Sequence, residues 1–235
     1  IYSVCSKFHS IYKHSTMASI RVTRHVEGDI ETKANEKVVH FQRHATGWHN
    51  VHGEPDKKEY LREDLEDATL SDGGLTECAV VPEGSAGRAQ LLLVSPMRRT
   101  LQTATLSFPH LMHDIPWLAL ESLREVTGMH PCDRRLPIPE HVETHSHVDF
   151  SLVADVHDPM YQKYTDMGTR EPDCDVMVRC REFLAYLQTR PESEVVVCTH
   201  SAYLKVLFND IFADQPEEDR NCEIRSYILT FPEAE

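Results

Sequence analysis

Four short, strongly apolar runs occur along the chain, and longer stretches with helix-like spacing separate them. The runs cover residues 38–42, 91–94, 117–120 and 194–199. Short runs rich in Val and Leu are typical of parallel strands that are buried on both faces of a sheet. Their alternation with helix-length segments predicts a single α/β domain with a mostly parallel central sheet flanked by helices.

The segments between and after the runs have their own patterns. Residues 99–106, 175–187 and 202–212 have apolar positions at helical spacing, and the charged residues 57–68 predict an exposed helix or helical loop. Residues 222–231 alternate between apolar and polar positions. This alternation predicts a last strand at the edge of the sheet.

Chemically active side chains follow the ends of the predicted strands. His44 comes just after the first run and His200 just after the fourth, while Arg98 and Arg99 follow the second and residues 121–125 follow the third. Ligands of parallel sheets bind outside the carboxyl ends of the strands. We therefore expect two imidazoles, several guanidiniums and a carboxyl group at one sheet edge, a set that suits phosphate chemistry.

Four motifs in this order resemble those of a known family. They are Arg43-His44-Ala45-Thr46-Gly47-Trp48-His49-Asn50, Ser95-Pro96-Met97-Arg98-Arg99-Thr100-Leu101-Gln102-Thr103-Ala104, Leu123-Arg124-Glu125 and Val197-Cys198-Thr199-His200-Ser201. Together they resemble the histidine phosphatase superfamily, and most of all its phosphoglycerate mutase-like branch of plant and fungal type. The resemblance runs from residue 38 to residue 228. It implies a three-layer sandwich with a small cap insertion at about residues 131–172.

The resemblance implies roles for five of these residues. His44 is expected to attack phosphorus as a neutral imidazole and to form a phosphohistidine. Arg43 and Arg99 are expected to clamp the phosphoryl oxygens, which match guanidinium forks. His200 is expected to be protonated when phosphate is bound and to donate to those oxygens, and Asn50 corresponds to a polar phosphate contact.

The carboxyl group that protonates the leaving oxygen is expected to be Glu125, with Glu121 as the alternative. Arg134 and Arg135 either contact the non-reacting part of the substrate or form salt bridges that pin the cap. We expect His49 at the pocket rim or on the surface. The superfamily's chemistry uses no metal, and the sequence predicts neither a metal site nor a cofactor.

Two residues beside the nucleophile depart from the family pattern. Ala45 stands where glycine is most usual, and Thr46 replaces the Glu or Gln that helps mutases to handle the transferred phosphate. The last four residues are acidic, unlike the Lys-rich tail of mutases. These departures favour a phosphomonoester hydrolase. A cofactor-dependent phosphoglycerate mutase and a non-catalytic phosphate-binding regulatory protein are the alternatives.

Charge and hydropathy limit the partners. The 235-residue chain has a formal net charge of −14, which argues against a general nucleic-acid binder. No apolar stretch approaches the length of about 20 residues that spans a bilayer. The expected partner is a small phosphorylated substrate, with neither nucleic acid nor a membrane involved, and the sequence leaves the oligomeric state open.

Residues 1–36 are predicted to be an N-terminal extension, and residues 37–235 the domain. The first 26 residues contain no Asp or Glu and are rich in Ser, Lys, Arg and His. This composition is compatible with a disordered extension or with a mitochondrial or plastid transit peptide. The seven cysteines include no CxxC pair, which favours a reducing compartment and hence the cytoplasm.

Overall fold

A computed structural model describes residues 20–25, 32–214 and 220–232. A six-stranded sheet lies at its centre. The strands are β1 (Arg21–Arg24), β2 (Glu36–Arg43), β3 (Leu91–Val94), β4 (Trp117–Ala119), β5 (Glu194–Thr199) and β6 (Ile224–Thr230), in the spatial order β1-β6-β2-β5-β3-β4. All four predicted apolar runs form strands, and the mostly parallel α/β fold is confirmed.

The strands β2, β5, β3 and β4 pair in parallel, and β6 runs antiparallel to β2. Strand β1 covers the outer side of β6 in antiparallel pairing. The prediction that the last strand is an edge strand is therefore wrong. Strand β1 belongs to the segment predicted as an N-terminal extension, and residues 1–19 and 26–31 of that segment lie outside the described residues.

The sheet is buried on both faces because alternate side chains of its inner strands enter two separate cores. Leu91 and Leu93 of β3 pack with Val195 and Val197 of β5 on one face. The intervening side chains, such as Leu92 and Val94, pack on the other face against Phe108 and Trp117. This two-sided burial explains why these strands are continuous apolar runs.

The described residues contain seven α-helices. These are α1 (Trp48–Gly53), α2 (Asp72–Ala79), α3 (Arg98–Ser107), α4 (Ile138–Thr144), α5 (Pro159–Asp166), α6 (Asp173–Thr189) and α7 (Ser201–Val206), and α7 continues as a π-helical turn over Leu207–Ile211. Residues 57–68, which were predicted to be an exposed helix or helical loop, form two 3₁₀ turns, Lys57–Leu61 and Glu63–Leu65. The predicted cap contains α4 and α5, while its boundaries stay a prediction.

The parallel register aligns the strand ends that carry the chemistry. Arg43, the last residue of β2, pairs with Thr199, the last residue of β5. The backbone N–H of His44 then donates to the carbonyl of Thr199 at 2.9 Å. His44 and His200 consequently leave the same edge of the sheet side by side.

An aromatic cluster beneath β2 offers a test of the core. Phe41 is 1% exposed, and its ring makes edge contacts with Phe183, Phe208, Phe212 and Tyr227, with centroids 5.6–6.2 Å apart. We expect Phe41→Ala to lower the free energy of unfolding by about 3–5 kcal/mol, because it removes apolar burial and leaves a cavity. Urea denaturation measures this change.

Leu106→Ala is the matched control, since this side chain on α3 is 44% exposed. It should change the unfolding free energy by no more than about 0.5 kcal/mol. Equal effects of the two substitutions would contradict the assignment of Phe41 to the core.

Candidate active site

His44 is buried at the carboxyl end of β2, and its ring orientation is fixed by the backbone. Its Nδ1 lies 2.8 Å from the carbonyl oxygen of Ala45. A carbonyl can only accept a hydrogen bond, so Nδ1 carries the proton of the neutral ring and Nε2 keeps its lone pair. The residue is therefore in the tautomer that has a nucleophilic Nε2.

The loop after His44 is tied to neighbouring elements. The backbone N–H and the hydroxyl of Thr46 both donate to the carboxylate of Glu77, at 2.8 and 2.6 Å. The N–H of Ala45 donates to the hydroxyl of Thr103 at 3.0 Å. Ala45 is absent from the described residues with a positive φ, so alanine fits this position without backbone strain.

His200 lies at the end of β5 with its ring centroid 5.1 Å from that of His44. The Nε–H of Arg99 donates to Nδ1 of His200 at 3.2 Å, so this nitrogen is an acceptor. The Nε2 nitrogen of His200 then carries the proton, and it lies 2.8 Å from the hydroxyl of Ser95. The second imidazole is thus held as the neutral Nε2–H tautomer.

Arg99 is fully buried, and each of its nitrogens already has a protein acceptor. Besides the bond to His200, Nη1 donates to the carbonyl of Cys132 at 2.6 Å and Nη2 to the carboxylate of Asp133 at 3.0 Å. The second carboxylate oxygen of Asp133, Oδ2, accepts a hydrogen bond from Arg170 at 2.8 Å. Two of the five guanidinium hydrogens of Arg99 remain for other acceptors, and its charge is partly balanced by a buried carboxylate.

The positive charges of the site act on its imidazoles. Burial lowers the pKa of His44 well below its usual range, and the charges of Arg99 and Arg43 lower it further. Burial also lowers the pKa of His200 well below its usual range, again with Arg99 and then His44 adding to the effect. The surroundings therefore keep both rings neutral near pH 7 and would favour a negatively charged ligand.

The predicted acid, Glu125, lies beside the loop that carries His200. Its carboxylate accepts from the backbone N–H groups of Ala202 and Tyr203, at 3.3 and 3.2 Å, in the first turn of α7. It also accepts from the N–H of Val126 at 2.8 Å. The two oxygens of this carboxylate already accept three hydrogen bonds, and an acid would have to carry a proton there as well. The role of Glu125 as the acid therefore stays a prediction.

Asn50 caps the helix that follows the nucleophile loop. Its side-chain oxygen accepts from the N–H of Gly47 at 3.1 Å, and its amide group donates to Glu54 at 3.2 Å. These bonds give the residue a structural role at the start of α1. A contact between Asn50 and phosphate stays a prediction.

Arg134 and Arg135 both hold chain segments together. Arg134 contacts Glu66 at 2.5 Å and Glu63 at 2.9 Å. The Nη atoms of the buried Arg135 donate to four backbone carbonyls, and its Nε lies 2.7 Å from the carboxylate of Glu121. These contacts support the alternative prediction, that the two residues pin the cap.

Two residues near the proposed nucleophile, His49 and Asp133, were not predicted to lie there from sequence. His49 was expected at the rim or on the surface, but its side chain is buried and its ring centroid lies 5.4 Å from that of His44. Asp133 pairs with Arg99 although it lies in the predicted cap. The position of His49 on the first turn after the nucleophile loop is a signal that could have indicated its proximity.

Comparisons with known proteins show the family to which the chain belongs. The family model of the histidine phosphatase superfamily (branch 1) matches residues 51–230. The chain belongs to the histidine phosphatase superfamily. This superfamily includes phosphatases and mutases, and the matched region begins shortly after the Arg43-His44 motif, so the role of His44 depends on the geometry.

Two relatives of this superfamily member come from Arabidopsis thaliana. Phosphoglycerate mutase-like protein 2 is 32% identical over an alignment of 273 positions that covers 86% of this chain and 78% of the relative. A phosphoglycerate mutase-like protein is 30% identical over 232 residues, which cover 82% and 84%. The resemblance to the phosphoglycerate mutase-like branch is thus confirmed.

Solved structures support the superfamily fold. Phosphoglycerate mutase from Bacillus anthracis superimposes with a TM-score of 0.56 at 12% identity, covering 86% of this chain and 93% of that one. The mycobacterial glucosyl-3-phosphoglycerate phosphatase gives a TM-score of 0.50 at 17% identity, covering 81% and 92%. At these identities the likeness concerns the fold alone.

The described residues contain neither a metal-binding cluster nor a membrane-spanning helix. Within residues 20–25, 32–214 and 220–232, no group of three or more His, Cys, Asp or Glu side chains is arranged to hold a metal ion. None of the helices in those ranges is long and apolar enough to cross a lipid bilayer.

The lowered pKa values of the buried imidazoles predict a pH-dependent stability. An unfolded histidine titrates near pH 6.5, so the stability from neutral burial is fully present above that pH and is lost as the pH falls towards the folded-state values. Each such group contributes at most about 1.4 kcal/mol per pH unit in this window. We expect His200→Gln to weaken the fall in unfolding free energy between pH 7 and pH 5.

Urea denaturation at several pH values measures this slope, and His113→Gln is the control because His113 is exposed. The control should keep the wild-type slope. A His200→Gln protein with an unchanged slope would show that this imidazole is not buried in its neutral form.

Proposed function

We propose that the protein hydrolyses a phosphomonoester through a covalent phosphohistidine on His44. The observation that carries this proposal is the tautomer of His44, whose Nδ1 donates to the Ala45 carbonyl and leaves the Nε2 lone pair available. The second imidazole, 5.1 Å away between ring centroids, and the buried Arg99 support a phosphate-binding role for the surroundings. The substrate is expected to be a small phosphorylated molecule.

In the first step, Nε2 of His44 attacks phosphorus and the bond from phosphorus to the ester oxygen breaks. The leaving oxygen takes a proton from an acid, for which Glu125 is the candidate, and departs as an alcohol. In the second step, water gives a proton to the carboxylate that the acid became and attacks the phosphohistidine; the bond from phosphorus to nitrogen breaks, phosphate is released, and both the ring and the acid regain their starting forms. Splitting the displacement into two steps is the contribution of covalent catalysis.

The charged groups supply the electrostatic part of the proposal. Phosphoryl transfer spreads negative charge over three equatorial oxygens, so catalysis depends mostly on positioned donors. Arg43, Arg99 and His200 are proposed to contact these oxygens. We also propose that Asn50 contributes its remaining donor capacity, while Arg134 and Arg135 hold the cap in place.

A mutase activity is the second candidate, since the Arabidopsis relatives carry the name phosphoglycerate mutase-like. A mutase must keep its phosphorylated form from reacting with water. In this chain, the side chain of Thr46 is bound to Glu77 and stands where mutases have a residue that handles the transferred phosphate. This difference favours hydrolysis.

The cellular location is proposed from composition alone. Seven cysteines without a CxxC pair favour a reducing compartment, and we propose the cytoplasm. A mitochondrial or plastid location is the alternative if the N-terminal residues act as a transit peptide.

Rapid mixing with ³²P-labelled substrate, followed by a quench in base, should trap an acid-labile phosphoprotein. A panel of sugar phosphates, nucleotides and phospho-amino acids identifies a substrate for this experiment. His44→Ala should abolish the label, because it removes the attacking nitrogen. His52→Ala, on helix α1 after the nucleophile loop, is the control and should keep the label.

Each possible outcome discriminates between the candidate functions. Label that persists in His44→Ala would refute the nucleophile assignment. Isomerisation of 3-phosphoglycerate with a trace of bisphosphoglycerate, without net phosphate release, would favour the mutase. No release from any member of the panel would favour a non-catalytic phosphate-binding protein.

The candidate acid can be tested with two classes of leaving group. Glu125→Gln should slow the hydrolysis of alkyl phosphates by about 10²–10⁴-fold. It should slow p-nitrophenyl phosphate far less, since that leaving group needs little protonation. The measurement is kcat/KM for both substrates.

Glu121→Gln is the matched control, because Glu121 lies on the 3₁₀ turn that precedes Glu125 and pairs with Arg124 at 3.2 Å. It should leave the ratio of the two rates unchanged. Equal slowing of both substrates by Glu125→Gln would contradict its role, and a changed ratio in Glu121→Gln would assign the acid to Glu121.

A further inference from the structure

A third imidazole lies beside the nucleophile. His49, on the first turn of α1, is 5% exposed, and its ring centroid lies 5.4 Å from that of His44. In the part of the chain that the structure describes, Nδ1 of His49 is buried without a hydrogen-bond partner. Buried polar atoms are nearly always paired, so an unpaired nitrogen on a ring beside the proposed nucleophile points to a hydrogen-bond partner from outside the chain.

Gly47 leaves the space that the His49 ring occupies. Gly47 has a φ of −91°, which any residue adopts, so its backbone does not require glycine. A Cβ atom at Gly47 would lie 2.6 Å from Nδ1 of His49 and 2.7 Å from its Cε1. Glycine is therefore needed here to make room for the imidazole.

The charge around His49 favours an anion beside it. The groups that act on the ring are Arg43 from β2, Arg99 from α3 and the imidazole of His44, and they are positive or can become so. On its other side lies the phenol of Tyr60, with ring centroids 6.3 Å apart. Burial lowers the pKa of His49 well below its usual range, and Arg99, His44 and Arg43 lower it further.

The pairing of Arg99 with Asp133 is a second reason to expect that His49 contributes positive charge to anion binding. The two charges lie 3.0 Å apart and are both buried, so Arg99 brings less net positive charge than a free guanidinium would. A phosphoryl dianion therefore needs further positive charge. The imidazole nearest the nucleophile, apart from His200, is that of His49.

We propose that His49 is a further phosphoryl-binding residue, which takes up a proton when the anion binds and donates a hydrogen bond to it. This inference rests on the proposed phosphate site but not on turnover. It requires only that an anion occupies the space next to His44. A dianion close to the ring would reverse the effect of the neighbouring cations.

The test uses inorganic phosphate and the full chain labelled with ¹⁵N-histidine. Ring nitrogen shifts report the protonation of each imidazole, and the spectrum of His49→Gln identifies the signals of His49. At pH 7.5 these signals should be those of a neutral ring without phosphate and of an imidazolium with saturating phosphate. His49→Gln should weaken phosphate binding about ten- to hundredfold, as expected for loss of a bond between charged groups.

His52→Gln is the matched control, three residues further along α1, and it should bind phosphate within twofold of wild type. Urea denaturation of both variants separates a loss of binding from a loss of folding. Gly47→Ala is a second test of the role of His49, because the added Cβ would displace the His49 ring. This variant should also weaken phosphate binding.

Three results would overturn the proposal. These are a His49 ring that stays neutral at saturating phosphate, a folded His49→Gln protein that binds phosphate within twofold of wild type, and a wild-type protein that binds no phosphate at millimolar concentrations. Failure of the proposed hydrolase function is a different result, since it would leave phosphate binding intact while no phosphoprotein forms.

Discussion

The parallel pairing of β2 with β5 is the constraint on which the site depends. Its register ends both strands at the same level, at Arg43 and Thr199, and continues into the bond from the His44 N–H to the Thr199 carbonyl. Two imidazoles that are 156 positions apart by their residue numbers, 200 minus 44, are thereby brought within 5.1 Å between ring centroids. A slip of one residue would turn every side chain of the strand to the opposite face. The two catalytic candidates would then separate.

Buried arginines attach the surrounding loops to this sheet edge. Arg179 of α6 pairs with Glu171 at 2.6 Å and donates to the carbonyls of Ser122 and Arg124, so it holds the turn that precedes Glu125. Arg124 in turn pairs with Asp158 at 2.5 Å. Because an unpaired buried charge costs several kcal/mol, each carboxylate fixes its arginine, and each arginine fixes the carbonyls of a loop. These pairs therefore tie the loops around the site to the sheet edge.

The strands and the proximity of His44, His200 and Arg99 were predictable from sequence, because strands buried on both faces form short runs rich in Val and Leu and these residues follow the ends of such runs. The features that were missed depend on tertiary contacts. The four-residue β1 has two arginines and no apolar alternation, so its pairing with β6 had no local signal. The burial of His49 depends on the space above Gly47 and on the distant ring of Tyr60, neither of which a periodicity records.

The net charge of −14 repels phosphate at long range, yet salt limits that repulsion to about 8 Å at physiological ionic strength. Binding must therefore come from local charge. Asp133 offsets part of the charge of Arg99, and burial holds the imidazoles neutral. In the proposed site, part of the positive charge available to a dianion is supplied by protons that enter with it. Affinity for such a ligand consequently rises as the pH falls, until the ligand itself becomes protonated near pH 6. A site built from arginines alone would lack this coupling.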